Sequence, residues 1–147
     1  MADRYESLRL SNQLCFPLYL CAKELVRRYE PLLEGLNLTY TQYVVMLYFW
    51  ERGAASAGEL SRALLLDPST LTPVLKKLEQ KGYLRRERDP RDQRSLAVTL
   101  TEAGAALRDQ ALDIPPRMAG CLGLEPGEAA ELGKLIGKAL YNLEREN

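Results

Sequence analysis

Between residues 11 and 33, apolar side chains recur every three or four positions, at Leu14, Leu18, Leu25, Tyr29 and Leu32, and the spacing predicts a long helix. Phe16, Tyr19 and Val26 lie outside that stripe. A helix apolar on more than one side has to bury both sides, so a second subunit is the natural cover. Thr39 with Gln42 three positions on reads as a capping box for a helix through Tyr43, Val44, Met46, Leu47, Tyr48, Phe49 and Trp50, stopped at Gly53. This is the expected central core helix. Ser56 and Glu59 repeat the box and open a short helix from Leu60 to about Leu64. Asp67 suits the N-cap of a third helix, and Pro68 suits its first position, where a missing N–H costs nothing. Leu71, Val74, Leu75 and Leu78 then keep helical spacing until Lys81 and Gly82 supply a basic last turn and a terminating glycine.

Two short capped helices separated by a few residues form a helix-turn-helix arrangement. After Gly82 the period changes from helical to alternating, with Leu96, Val98 and Leu100 set against Ser95, Ala97 and Thr99 as in a half-buried strand. Between residues 83–88 and this strand lies DPRDQR (89–94), whose turn chemistry predicts a hairpin with a charged tip. A hairpin directly after a helix-turn-helix is the wing of a winged helix, presenting arginines at the depth of a DNA minor groove. Residues 101–147 read as helical, with Thr101 as a cap, Pro115 and Pro116 breaking the run, and Pro126 with Gly127 opening the last segment. The expected fold is therefore mainly α with a small β-hairpin wing, in one domain. Its winged-helix core spans about residues 39–100, flanked by dimerisation helices at about 8–33 and 101–147.

Composition narrows the chemistry. The chain has 147 residues, 46% of them apolar, with 20 basic and 20 acidic side chains and no histidine. Collagenous and fully disordered classes are excluded, and so are histidine-based triads, Cys-His nucleophile pairs and histidine metal sites. Cys15, Cys21 and Cys121 make no C-x-x-C pair and no zinc-ligand spacing, so neither a metal nor another cofactor is implied. The longest apolar run near the N-terminus, residues 14–22, is far short of the ~18–20 residues that span a bilayer. No signal peptide is read, and the expected location is the cytoplasm. The zero net charge conceals a concentration: residues 76–94 hold eight basic side chains (Lys76, Lys77, Lys81, Arg85, Arg86, Arg88, Arg91, Arg94) against four acidic ones (Glu79, Glu87, Asp89, Asp92), a local excess of four. Clustered cations in a neutral domain are the footprint of a polyanion reader, although a solvated helix and hairpin would carry the same charges.

The stretch LDPSTLTPVLKKLEQKG (66–82), then Arg86 and DPRDQRS (89–95), resembles the MarR family of winged-helix transcription regulators. NQLCF (12–16), YEPLL (29–33) and LTYTQY (38–43) are similar to its organic-hydroperoxide-sensing branch, and the resemblance runs from about residue 11 to 115. It implies a homodimer that binds a pseudo-palindromic double-stranded operator and releases it when a cysteine is oxidised by an organic hydroperoxide. The sensing cysteine of that branch falls on Cys15, the two tyrosines that hydrogen-bond its sulfur fall on Tyr29 and Tyr40, and Tyr19 matches a further tyrosine near the pocket. A helix beginning near residue 11 or 12 would put Cys15 in its first turn, where the dipole and free N–H groups favour an anion. Oxidation would give a sulfenic acid. Cys21 lies six residues along the same helix, about 9 Å of rise, beyond the ~7 Å Cα separation a disulfide tolerates. In one subgroup of the branch a cysteine in the region of Cys121 comes from the other subunit to resolve the sulfenic acid. A mixed disulfide with a small cellular thiol is the alternative.

For DNA, the expected recognition helix runs from Asp67 to Lys81. It offers Ser69, Thr70, Thr72 and Pro73 to base edges and thymine methyls, and Lys76 and Lys77 to phosphates. Arg94 matches the family's minor-groove arginine, Asp92 is expected to orient it or pair with a neighbouring arginine, and Arg86, Arg88 and Arg91 are expected to add charge toward the DNA backbone. Two other readings stand beside this one. A small aromatic or phenolic effector would use the same DNA residues and spare Cys15. A thiol peroxidase would use Cys15 as nucleophile but leaves the helix-turn-helix and basic wing idle, so no enzyme is expected.

Overall fold

Side-chain caps set where several helices begin in the computed structural model, which describes residues 3–146 apart from the side chain of Gln93. Thr39 Oγ1 accepts the Gln42 N–H and Gln42 Oε1 accepts the Thr39 N–H, both at 3.2 Å, so α2 (Tyr40–Arg52) starts on the box its sequence predicts. Gly53, at φ 77°, ends it. The Ser56–Glu59 box opens α3 (Ala57–Leu64) in the same way, and Thr101 Oγ1 caps α5 (Glu102–Gln110) by accepting from Gly104. In α4 (Pro68–Gln80), Asp67 holds the N-cap position but its carboxylate makes no cap bond. Thr70 and Leu71 instead donate to the Asp67 carbonyl at 3.0 and 2.9 Å.

The first long helix, α1 (Cys15–Glu34), begins later than its apolar spacing predicts. Upstream, the backbone turns through two 3-10 segments, Glu6–Leu8 and Leu10–Asn12, and is extended at Gln13. The side-chain amides of Asn12 and Gln13 donate back to the carbonyls of Glu6, Ser7 and Arg9 at 2.8–2.9 Å, a local competition that holds this segment out of the helix. Cys15 is therefore the first residue of α1.

Three strands form one antiparallel sheet in the order β1-β3-β2: β1 (Ala54–Ser56), β2 (Leu84–Asp89) and β3 (Asp92–Leu100). The hairpin is the expected wing. It is tighter than the sequence suggests, because Asp89 pairs with Asp92 and only Pro90 and Arg91 form the turn. β1 has no signature in its own residues, since Ala-Ala-Ser is a poor strand former. It exists because Ala54, Ala55 and Ser56 pair with Thr99, Val98 and Ala97, more than forty positions away.

The core joins α2, α3, α4 and the sheet through Val45, Met46, Phe49, Leu60, Leu71, Leu75, Leu78, Leu84 and Val98, none more than 2% exposed. Trp50 Nε1 donates to the Gly104 carbonyl at 2.8 Å, fastening α5 to α2. A Cβ at Gly104 would stand 2.2 Å from the Tyr83 carbonyl oxygen, so this contact requires glycine. The chain divides into two compact units between Leu112 and Asp113. The second unit holds α6 (Ile114–Leu122), with Pro115 and Pro116 in its first turn, and α7 (Pro126–Arg145), opened by Pro126.

Candidate DNA interface and cysteine site

α4 carries its apolar residues on one side and its polar ones on the other. Leu71, Leu75 and Leu78 are buried, whereas Ser69, Thr70, Thr72, Pro73, Lys76 and Lys77 are all exposed. An unobstructed face thus holds every side chain that the sequence assigns to base edges and phosphates on this helix. Thirteen residues of helix extend about 20 Å, enough to lie along a major groove. Pro73 has no N–H to offer the Ser69 carbonyl, an interruption on this same exposed side.

The wing shapes its own tip. Asp89 Oδ1 accepts the Arg91 N–H at 2.9 Å and Asp92 Oδ1 accepts the Arg94 N–H at 3.0 Å. Asp92 therefore fixes the backbone at Arg94 and does not pair with the guanidinium. Arg91 and Arg94 are exposed and enter no ion pair among the described residues. Arg88 is exposed on β2.

Arg86 is placed differently from the expectation that it points its charge outward. Its Nε and Nη2 donate to Glu79 Oε1 at 3.2 and 3.1 Å, its backbone N–H donates to Oε2 at 2.9 Å, and its side chain is 19% exposed. The guanidinium is a strut between α4 and β2, and its hydrogen bonds hold the Glu79 carboxyl below its ordinary value. Sequence reasoning passed over Glu79, because a carboxylate seven residues upstream of an arginine has no local pattern to mark it.

All three cysteines are free and exposed. Cys15 opens α1 among Leu14, Phe16 and Leu18, also exposed, with Tyr19 one helical turn beyond. Among the described residues its sulfur has no hydrogen-bond partner. Tyr29 and Tyr40 meet each other, with ring centroids 4.8 Å apart, and Tyr43 lies 5.7 Å from Tyr29. Burial, then the neighbouring Tyr40, pushes the Tyr29 phenol above its ordinary value, and burial, then Tyr29 and Tyr40, does the same for Tyr43. Both phenols are thus neutral donors at neutral pH. Next to them a groove of about 430 Å³ is lined by Val26, Glu30, Leu38, Thr39, Tyr40 and Thr41. Cys15 and Tyr29 are fourteen residues apart in one helix, about 21 Å of rise, so a single chain does not bring the sulfur to its expected partners. Cys121 lies on α6 in the second unit.

The arrangement defines a winged helix-turn-helix protein, with α4 as the second helix of the motif and the β2–β3 hairpin as its wing. A sequence model of the MarR family matches residues 38–96. The chain is also 41% identical, over 97% of its own length and 95% of the relative's, to the organic hydroperoxide resistance transcriptional regulator of Bacillus subtilis (strain 168). It belongs to the MarR family. Among solved structures it is similar to reduced AbfR bound to DNA, a Staphylococcus epidermidis protein, with a TM-score of 0.83, 34% identity and coverage of 97% and 98% of the two chains. A MarR mutant from E. coli complexed with operator DNA superposes with a TM-score of 0.81 at 25% identity, covering 95% and 99%. These likenesses set the chain among transcription regulators and not among enzymes. Among the described residues no helix is long and apolar enough to cross a membrane.

Proposed function

We propose that the chain works as a homodimeric repressor that binds a pseudo-palindromic operator and lets go when an organic hydroperoxide oxidises Cys15. One observation carries the sensor: Cys15 opens α1, a helix with a single buried residue, Leu33, while Tyr29, which meets Tyr40 of α2, lies toward its other end. Two such helices packed antiparallel would bring the sulfur of one protomer to Tyr29 and Tyr40 of the partner subunit, and would cover the exposed apolar side chains of α1 in the same step. The name of the Bacillus subtilis relative supports the choice of oxidant over a phenolic ligand.

The chemistry follows from those groups. The Cys15 thiolate attacks the terminal peroxide oxygen, an S–O bond forms as the O–O bond breaks, and the departing alkoxide takes a proton to leave as alcohol. The tyrosine hydroxyls donate to the sulfur anion without adding charge, and Leu14, Phe16 and Leu18 present apolar surface to the alkyl group. A second thiol then condenses with the sulfenic acid, forming an S–S bond and releasing water. Cys121 of the partner subunit is the proposed source, with a small cellular thiol as the competing one. On DNA, Ser69, Thr70, Thr72 and Pro73 read base edges, Lys76, Lys77, Arg88 and Arg91 meet phosphates, and Arg94 enters the minor groove. Arg86 and Asp92 act indirectly, one holding β2 to α4 and the other shaping the wing tip.

The test is operator-fragment binding before and after one equivalent of an organic hydroperoxide, with intact mass and non-reducing gel mobility read on the same samples. Wild type is expected to lose binding with a crosslinked dimer that is absent from Cys15→Ser and Cys121→Ser. Loss without a crosslink transfers the second step to a small thiol. Persistent binding with Cys15 oxidised refutes the peroxide reading.

A further inference from the structure

Lys81 closes α4, yet its side chain leaves that helix. Its ammonium crosses to the corner between α1 and α2, where it donates to the Asn37 carbonyl and, at 3.0 Å, to Gln42 Oε1. Asn37 is the corner residue, in a left-handed conformation at φ 52°. Gln42 is buried, and the same Oε1 accepts the Thr39 N–H, so one oxygen both caps α2 and receives the ammonium. Burial, then the charge of Lys77, lowers the Lys81 ammonium from its ordinary value. This half-buried lysine is held by two acceptors that lie outside its own helix.

The groove beside Tyr40 adjoins this corner. Leu38 and Thr39 line that groove, and they also line a smaller hollow of about 180 Å³ together with Asn37 and Lys81. From Tyr40, the first residue of α2, the route to α4 passes through Thr39, Gln42 and Lys81. The first step is the reciprocal pair of backbone-to-side-chain hydrogen bonds of the capping box, and the second is one hydrogen bond from the Lys81 ammonium to Gln42 Oε1.

We propose that Lys81 is a positioning residue that couples the first turn of α2, where Tyr40 sits, to the orientation of α4. With the ammonium seated on Asn37 and Gln42, α4 is held as the operator requires. A shift of the first turn of α2 moves the Gln42 oxygen and draws the end of α4 with it. This inference rests on the peroxide-release reading above, which supplies the event at Tyr40. Coupling of this kind requires one element whose position both sites bias, and α4 is that element.

A plain tether would also use these bonds, and the two roles differ in one measurable ratio. Operator Kd is measured for wild type, Lys81→Met and Lys81→Arg before and after one equivalent of organic hydroperoxide, with Cys15 oxidation counted by intact mass. Lys81→Met is expected to oxidise as fully as wild type, while its oxidised-to-reduced Kd ratio falls by about fivefold or more, the lower edge of the roughly 5- to 150-fold range of allosteric couplings. Lys81→Arg is expected to recover most of the ratio, because it keeps the charge and the donors. An unchanged ratio in Lys81→Met, with weaker binding in both states, overturns the proposal and leaves Lys81 a stabilising tether. If wild type keeps its operator with Cys15 oxidised, the peroxide reading fails and this inference fails with it, a result visible without any variant. Should Lys81→Met not fold, Lys81→Gln, with a shorter stem and a neutral donor, is read by the same ratio.

Discussion

The winged-helix portion and the flanking helix α7 treat their apolar residues in opposite ways. In the first, Val45, Met46, Phe49, Leu60, Leu71, Leu75, Leu78, Leu84 and Val98 are closed off from solvent within one chain. Along the 20 residues of α7 none is buried, although Leu132, Leu135, Ile136, Leu140, Tyr141 and Leu143 recur at helical spacing. α1 is nearly the same, with Leu33 alone buried. The difference separates a part whose stability is written into one chain from parts whose apolar faces await another surface. It also separates the two proposed roles: Cys15 and Tyr19, proposed to sense, stand on the unfinished helix, and the threonines and arginines proposed to read DNA stand on the finished winged-helix core.

The contrast is open to attack from its strongest point downward. Phe49→Ala, in a site with 0% exposure, should cost about 3–5 kcal/mol of unfolding free energy by denaturant titration. Leu140→Ala on α7 should instead act through association, leaving a melt whose midpoint depends on protein concentration. If both variants lose the same stability independent of concentration, the two regions are not different in kind. Gly104→Ala tests the finished unit at its tightest contact. The clash with the Tyr83 carbonyl should cost about 1–3 kcal/mol and disturb the fluorescence of Trp50, the single tryptophan, which bonds to the Gly104 carbonyl. Arg94→Ala should weaken operator binding at fixed salt by about tenfold or more, roughly 1.4 kcal/mol, with the melting curve unmoved. Unchanged affinity would remove the wing from the reading surface. Glu79→Gln should give the smallest effect and a diagnostic pH signature. Arg86 holds the Glu79 carboxyl below its ordinary value of 4.5, so the pair's contribution is present at neutral pH and is lost as pH falls through the lowered value. The variant should lose that acid-dependent increment, and a pH profile parallel to wild type would show that the strut is not felt.

Much of the winged helix was legible in the chain because helix ends are decided by neighbours three residues apart. The Thr39–Gln42 and Ser56–Glu59 boxes, the Thr101 cap, Pro68, Pro126 and the glycine after Lys81 all act within one turn, and each marks a boundary in the structure. The alternation of Leu96, Val98 and Leu100 disclosed β3 for a similar reason, since one face of a strand follows a period of two. The start of α1 was misread by apolar spacing, because Asn12 and Gln13 act through side-chain amides that carry no hydrophobic signal.

The sequence by itself determined most helix boundaries, the wing and the separation of Cys15 from Tyr29, since capping boxes and helix rise are local properties. Tertiary structure alone decided β1, which needs the edge of β3, the Arg86–Glu79 strut, and the Lys81 bridge to Asn37 and Gln42. Each of these joins separate elements, so none leaves a periodic trace in the chain. An ammonium at the end of one helix finds a carbonyl some forty residues earlier only after the core has packed and placed both ends within reach.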